Sequence, residues 1–340
     1  MTRRSWLLFA AMCVIWGIPY LLIRIAVRDL TPGTLVFART AIGGLVLLPL
    51  ALTRGGFGPV LRRWRPLVAF TALELAGPWL MLGSAEERLS SSLAGLLVAA
   101  TPLVGVIVAR LLRVDDRVNL SRAVGLVLGI VGVAMLVGLD VGQLSAGPLL
   151  EVLGVVIGYA VAPVILDRKL SDLPSIPVVS AALLLCALAY LPYAVLRPPA
   201  HLSGEVVGSV AVLGLVCTAT AFVVFFALIA SIGPARATVI TYVNPAVAVL
   251  LGVGLLGEHF TLGMGVGFPL ILAGSVLAAR KAAVREPAVA EPVAPALADP
   301  APPAVQSSRT SPPGVLNTAE STPVSSSIGG DHSTSIPSSG

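Results

Sequence analysis

The chain is poor in charge, aromatic rings, lysine and cysteine. Of its 340 residues only 11% are Asp, Glu, Lys or Arg, and 5% are aromatic. Soluble domains carry about 25% charged residues, and water does not tolerate the apolar surface that so little charge leaves exposed. A soluble globular fold is therefore excluded. The three cysteines (Cys13, Cys186, Cys217) lie in separate apolar runs, so they read as buried thiols and imply neither a disulfide framework nor a metal site. The two lysines, Lys169 and Lys281, each follow an arginine. There is thus no phosphate-binding Gly-Lys pair, which argues against direct ATP-driven pumping. His201, His259 and His332 are scattered, and neither His-Glu-x-x-His nor Gly-x-Ser-x-Gly occurs. Gly252 to Gly257 fits a dinucleotide pattern as text, but it ends an apolar run instead of opening a helix after a strand. No catalytic residue, metal or cofactor is assigned, and the chain is not expected to be an enzyme.

What is present is hydrophobicity: 56% of residues, with a mean hydropathy of +0.95. A helix needs about 20 apolar residues to cross a bilayer core. Such runs recur ten times, over 6–27, 34–52, 64–83, 91–112, 121–138, 148–166, 176–196, 206–230, 235–257 and 262–279. Continuous stretches such as Val124–Val137 and Pro245–Leu256 lack the alternation of a β-barrel. Hydrocarbon leaves backbone groups without partners, so these runs must be helices. The expected fold is an all-α integral membrane protein with the lipid bilayer as a partner. The start, Thr2-Arg3-Arg4-Ser5-Trp6-Leu7, resembles a twin-arginine export signal. No small-residue cleavage site follows, so the first run is expected to remain a span.

The net charge of +5 sits in short loops, so it reads as a topology signal and not as a nucleic-acid footprint. With a cytoplasmic N-terminus, fifteen basic residues fall inside, among them Arg3, Arg4, Arg62, Arg63, Arg65, Arg113, Arg168 and Lys169. Outside fall only Arg28, Arg88 and Arg197, beside Glu86, Glu87, Asp140 and Glu258. Both termini are expected in the cytoplasm. Residues 284–340 are rich in Pro, Ala, Ser and Thr without apolar periodicity, the composition of a disordered tail.

The chain also repeats itself. Thr101-Pro102 is followed by Asp115, and Asn244-Pro245 by Glu258, each acid thirteen positions after its proline (115 − 102; 258 − 245). With five runs on either side, residues 1–140 and 141–283 read as two five-helix repeats. Five is odd, so the second repeat must be inverted, as in carriers that expose a midplane site to each side in turn. Each proline removes a helical donor and frees a carbonyl one turn earlier, which marks Thr101, Pro102, Asn244 and Pro245 as candidate cavity residues. Simple packing kinks are the alternative.

Trp16-Gly17-Ile18-Pro19-Tyr20 runs on to Arg24-Ile25-Ala26; Phe37-Ala38-Arg39 precedes Leu48-Pro49-Leu50; residues 92–108 surround Pro102, 239–251 surround Pro245, and Gly257-Glu258 follows. This series resembles the EamA family of the drug/metabolite transporter superfamily over roughly residues 6 to 280. The first repeat departs from it, with Val114-Asp115 where Gly-Glu is usual. The resemblance implies a secondary transporter working by alternating access on a small molecule (amino acids, nucleosides and drugs are among the family's substrates), and it favours efflux. Import remains the other direction. A nucleotide-sugar carrier of the same superfamily would need a strongly basic cavity, and only Arg24 and Arg39 are on offer. A receptor or scaffold would not need an inverted repeat.

An ionisable residue within a span costs roughly 2.5–3.5 kcal/mol, so it needs a reason. Glu74 lies mid-span in Ala72-Leu73-Glu74-Leu75-Ala76, just before Gly77-Pro78, and is the candidate for a substrate amine or a proton. Its bland alternative is a structural ion pair with Arg24 or Arg39. Those arginines either snorkel to an interface or bind an anionic group. Tyr20, Trp79, Tyr159 and Tyr242 are candidate cavity aromatics, with ordinary packing as the alternative. Trp6 and Trp64 read as membrane-belt anchors. The pairs Gly125/Gly129, Gly154/Gly158 and Gly263/Gly267 suit close helix packing, with a homodimer as the weaker alternative.

Overall fold

A computed structural model describes residues 2–111, 120–140 and 145–279, and within them every regular element is helical. The loop with Asp115, the basic residues from Arg280 onward and the segment 284–340 lie outside the described residues. Eight described helices are long and apolar enough to cross a membrane: α1 (Arg3–Ala26), α2 (Pro32–Thr53), α3 (Trp64–Glu86), α4 (Ser91–Leu111), α5 (Leu120–Gly138), α6 (Ala146–Leu170), α7 (Ser175–Leu196) and α8 (Gly204–Ile232). Two shorter apolar helices follow, α9 (Ile240–Leu256) and α10 (Leu262–Ala278). Trp6, Leu45, Leu52, Trp64, Val127, Leu150, Leu196 and Leu250 are exposed. Such an apolar exterior suits lipid and not water.

Two expectations need correction. α3 runs to Glu86, and the Glu86 side chain is 0% exposed. The expected outside-loop position is wrong because the last turn of α3 folds this carboxyl inward, while Glu87 and Arg88 turn to the surface. The ninth helix begins at Ile240 instead of Ala235, after a separate short helix, Pro234–Ala237.

The long helices are not regular. α1 breaks at Trp16–Ile18 and restarts at Pro19, which needs no helical N–H at that position. At the break Gly17 lies against Val247 of α9, with no room for a Cβ. α4 breaks at Ala99–Ala100, and Pro102 opens its second piece. Within α3, Ala72–Ala76 forms a π turn; within α8, Leu215–Thr220 does the same, and Leu166–Leu170 ends α6 in a third.

The principal packing partners are α1 with α8, α3 with α6, α2 with α7, α4 with α9 and α5 with α10. Glycine permits the closest of these approaches. A Cβ on Gly274 of α10 would sit 2.5 Å from the Gly129 nitrogen and 2.6 Å from the Gly125 oxygen of α5. Gly132 meets the Ile271 nitrogen at 2.7 Å in the same way. Gly154 and Gly158 of α6 face Met81, Leu73 and Pro78 of α3. These small residues are therefore engaged within the chain.

The α5–α10 contact predicts that Gly274→Ala destabilises by about 1–3 kcal/mol, the usual cost of overpacking. Gly254→Ala, with nothing within 4 Å of its Cβ, should be neutral or stabilising by up to about 1 kcal/mol. Thermal unfolding of the two purified variants in detergent checks both.

Candidate functional site

Arg39 of α2 is 6% exposed, deep among apolar helices. Its Nε donates to Thr218 Oγ1 at 2.9 Å, and its guanidinium lies 3.6 Å from the Trp79 ring centroid. Thr218 sits in the π turn of α8, and its hydroxyl donates to the Leu213 carbonyl at 2.8 Å. That bond orients the oxygen so that a lone pair faces Arg39. A hydrogen bond to a charged group contributes about 1.5–3 kcal/mol, and a desolvated cation–π contact about 2 kcal/mol. Together they offset part of the several kcal/mol that burying a charge costs. Among the described residues no carboxylate pairs with Arg39, and only its Nε–H makes a hydrogen bond. The rest of its donor fork is left for a further acceptor.

Glu74 is half-buried in the π turn of α3 and makes no hydrogen bond or ion pair among the described residues. The ion pair with Arg24 or Arg39 is thus not formed: Arg24 donates instead to the backbone carbonyl of Glu86. The π turn disturbs the local backbone. Pro78 has no N–H to return to the carbonyls before it, and Tyr190 of α7 donates to the Ala76 carbonyl at 3.0 Å. Gly158 of α6 lets that helix approach the Leu73 carbonyl. Its neighbour Tyr159 packs in the same apolar cluster as Trp79 and lies within electrostatic reach of Glu74, Arg39 and Glu86. Tyr20, buried against Gly95 of α4, is within reach of Tyr159, Glu86 and Arg39.

The structure therefore brings together Tyr20, Arg39, Glu74, Trp79 and Tyr159, from α1, α2, α3 and α6. It places the other candidates apart. The Tyr242 hydroxyl reaches the Ser275 carbonyl of α10 at 3.5 Å. The Asn244 amide nitrogen faces the carbonyls of Cys13 at 3.1 Å and Ile240 at 2.9 Å, tying α9 to α1. Thr101 donates to the Val98 carbonyl at 2.7 Å, beside Pro102, and so spans the break in α4. Pro245 is buried within α9. Sequence reasoning missed Thr218, Cys217 and Glu86. A threonine in an apolar run carries no signal, and Glu86 was hidden beside Glu87 and Arg88.

Outside the spans, Gly257 closes α9 in the left-handed conformation (φ 67°), which favours glycine. The next residue, Glu258, turns onto the first turn of α4. One carboxylate oxygen accepts from the Ser91 nitrogen at 2.7 Å and its hydroxyl at 2.9 Å; the other accepts from the Ser92 nitrogen at 2.9 Å and its hydroxyl. A carboxylate is favoured at a helix N-terminus. Partial burial pushes the Glu258 carboxyl up, but these bonds together outweigh burial and hold it below the ordinary value. Asp29 accepts from the Ser203 nitrogen at 2.8 Å and its hydroxyl at 2.7 Å, which holds its carboxyl low. Asp172 takes both oxygens to Arg63 at 2.6 Å, with the same effect.

Comparison with known proteins agrees with this architecture. The model of the EamA-like transporter family matches residues 4–138 and again 147–280. The chain is 32% identical over 258 residues to the "Uncharacterized inner membrane transporter YedA" of Escherichia coli K12, covering 73% of this chain and 81% of that one. It is 24% identical over 285 residues to an "Uncharacterized transporter" of Archaeoglobus fulgidus, covering 82% and 99%. A solved structure titled "Crystal structure of protein" shares the fold, with a TM-score of 0.60 at 22% identity over 82% of this chain and 97% of that one.

The lowered Glu258 carboxyl stabilises the fold above the ordinary carboxylate value of 4.5, and that contribution is lost as pH falls through its lower folded value. Glu258→Gln should therefore lower the melting temperature at pH 7 and remove part of the acid-side decline. Melting curves from neutral pH down to about pH 3, with wild type alongside, check this.

Proposed function

The chain belongs to the EamA-like transporter family, and from that premise we propose that it is a proton-coupled secondary transporter exporting a small metabolite by alternating access. We place it in the inner or plasma membrane, like the relative named for that location, with both termini in the cytoplasm and two inverted five-helix repeats.

Several observations support the repeat. The family model matches twice. Pro49 and Pro192, Pro102 and Pro245, and Asp29 and Asp172 each lie 143 positions apart (192 − 49, 245 − 102, 172 − 29), as do the starts of the π turns of α3 and α8 (215 − 72), though the third, in α6, has no such counterpart. Exchanging each helix for its counterpart five places on maps the principal pairs onto themselves: α1–α8 becomes α6–α3, while α2–α7, α4–α9 and α5–α10 are unchanged. Under the proposed orientation the Asp29–Ser203 tie lies outside and its counterpart, Arg63–Asp172, inside. Breaking one tie while the other holds is what rocking about a central site requires.

The observation that carries the mechanism is an unneutralised Arg39 and an unpartnered Glu74, each within electrostatic reach of Tyr159, with Glu74 in the π turn of α3 and the Arg39 partner Thr218 in that of α8. π turns recur at functional sites in helices. Arg39 offers donors to an acceptor group of the substrate, Trp79, Tyr20 and Tyr159 supply aromatic faces around it, and Glu74 exchanges the coupling proton. Water is the immediate donor and acceptor for that proton.

Cells producing wild-type protein, Glu74→Gln protein at matched levels, or neither, are compared by untargeted analysis of the medium. A solute enriched only by wild type identifies the cargo. In liposomes Glu74→Gln should slow its pH-gradient-driven transport about tenfold or more, a barrier change of about 1.4 kcal/mol, and flatten the pH dependence. Normal transport with an unchanged pH profile would remove Glu74 from the coupling.

A further inference from the structure

Glu86 closes α3 with its side chain fully enclosed, and neither carboxyl oxygen has a hydrogen-bond partner. It is not one of the groups used in the mechanism above. The charged and titratable groups facing it come from every side: Tyr20 and Arg24 from α1, Arg39 from α2, Tyr159 from α6, and Glu258 from the turn after α9. On its own helix end Glu87 and Arg88 are exposed, and Arg88 is engaged with Glu151 at 2.7 Å. Arg24 lies closest in role. Its Nη1 donates to the backbone carbonyl of Glu86, so the guanidinium is held beside the residue without touching its carboxyl.

This arrangement fits one protonation state. An enclosed carboxylate with no donor and no touching cation is too costly to keep. The neutral acid is tolerated in the same enclosure. Ionisation becomes affordable only if the enclosure opens to water or if Arg24 swings from the carbonyl to the carboxylate. Either change loosens the junction between α1 and the end of α3. The first turn of α4, which Glu258 caps, starts five residues later (91 − 86). The repelling charge of Glu258 acts in the same direction, since an ionised Glu86 pushes against the carboxylate that holds α4 and α9 together.

We propose that Glu86 is a second proton-binding site, occupied in this enclosed conformation and emptied to external water, with Arg24 as the counter-ion of the ionised form, when this end of the helix bundle opens. On opening, the carboxyl O–H bond breaks and the proton passes to a water molecule of the medium; on closing, the reverse transfer restores the acid. The ligand is the proton alone. The inference rests on the transport reading only for the sense of opening, and proton occupancy of Glu86 is measurable without a substrate.

The full chain, purified in lipid nanodiscs, is examined by infrared spectroscopy for carbonyl bands of protonated carboxyl groups. Wild type is compared with Glu86→Gln, Glu74→Gln, Arg24→Gln and Arg24→Lys across the pH range in which each stays folded. A protonated-carboxyl band should be present in wild type at neutral pH, absent in Glu86→Gln and retained in Glu74→Gln. Raising pH should abolish it. Arg24→Gln should change the pH of that loss, and Arg24→Lys should bring it back toward wild type. A merely structural Glu86 would show no dependence on the Arg24 variants. Should Glu86→Gln fail to fold, Glu86→Asp should shift the band instead of removing it. A full set of bands surviving in Glu86→Gln, or unmoved in Glu86→Asp, overturns the proposal. Failure of transport in liposomes with the Glu86 band present would overturn the transport reading and leave the proton site standing.

Discussion

The burial of one guanidinium governs the interior of this protein. Hydrocarbon supplies no solvent for a charge or for unpaired backbone groups, so Arg39 must find its stabilisation among side chains. It does so through the hydroxyl of Thr218 and the face of Trp79. Both contacts are held by other elements. The π turn of α8 sets Thr218, and Trp79 is packed in one apolar cluster with Tyr159 of α6. Three helices, α2, α3 and α8, thus meet at a single cation, whose stabilisation is incomplete among the described residues. That shortfall is the reason Arg39 carries the proposed substrate contact.

The same solvent constraint explains the glycines and the irregular turns. Lipid offers little driving force for helix association beyond close packing, so small residues sit where backbones must touch. Gly125, Gly132 and Gly274 bring α5 and α10 into backbone contact, and Gly158 brings α6 to the carbonyls freed by the π turn and Pro78. Freed carbonyls inside a membrane need donors, and Tyr190 supplies one. The close-packed pair α5–α10 and the π turns at the centres of α3 and α8 suit a molecule in which some helices hold while others move.

Most of the fold was legible as apolar run lengths, since eight of the ten expected spans are helices of crossing length and the other two are shorter apolar helices. Much of the central cluster was legible too, because Arg39, Glu74 and Tyr159 are costly residues within apolar runs. What escaped did so for physical reasons. Hydropathy does not record an inserted residue, so the π turns left no trace. The pattern Glu86-Glu87-Arg88 looks like a loop, and only the helix phase shows that the first of the three points inward. Asn244 stood out correctly as a polar residue in a span, but its partners are backbone carbonyls of α1 and α9, which no side-chain pattern reveals.

Cys217 offers the most direct test of the account, since it is 1% exposed beside Thr218 and within reach of Arg39. With Cys13 and Cys186 replaced by serine, a small membrane-impermeant thiol reagent is applied from either side of oriented membrane vesicles, with and without a proton gradient. Alternating access about this site predicts slow labelling at rest and faster labelling from each side in turn as the gradient is imposed and reversed. Labelling from one side alone under every condition, while transport continues, would contradict it.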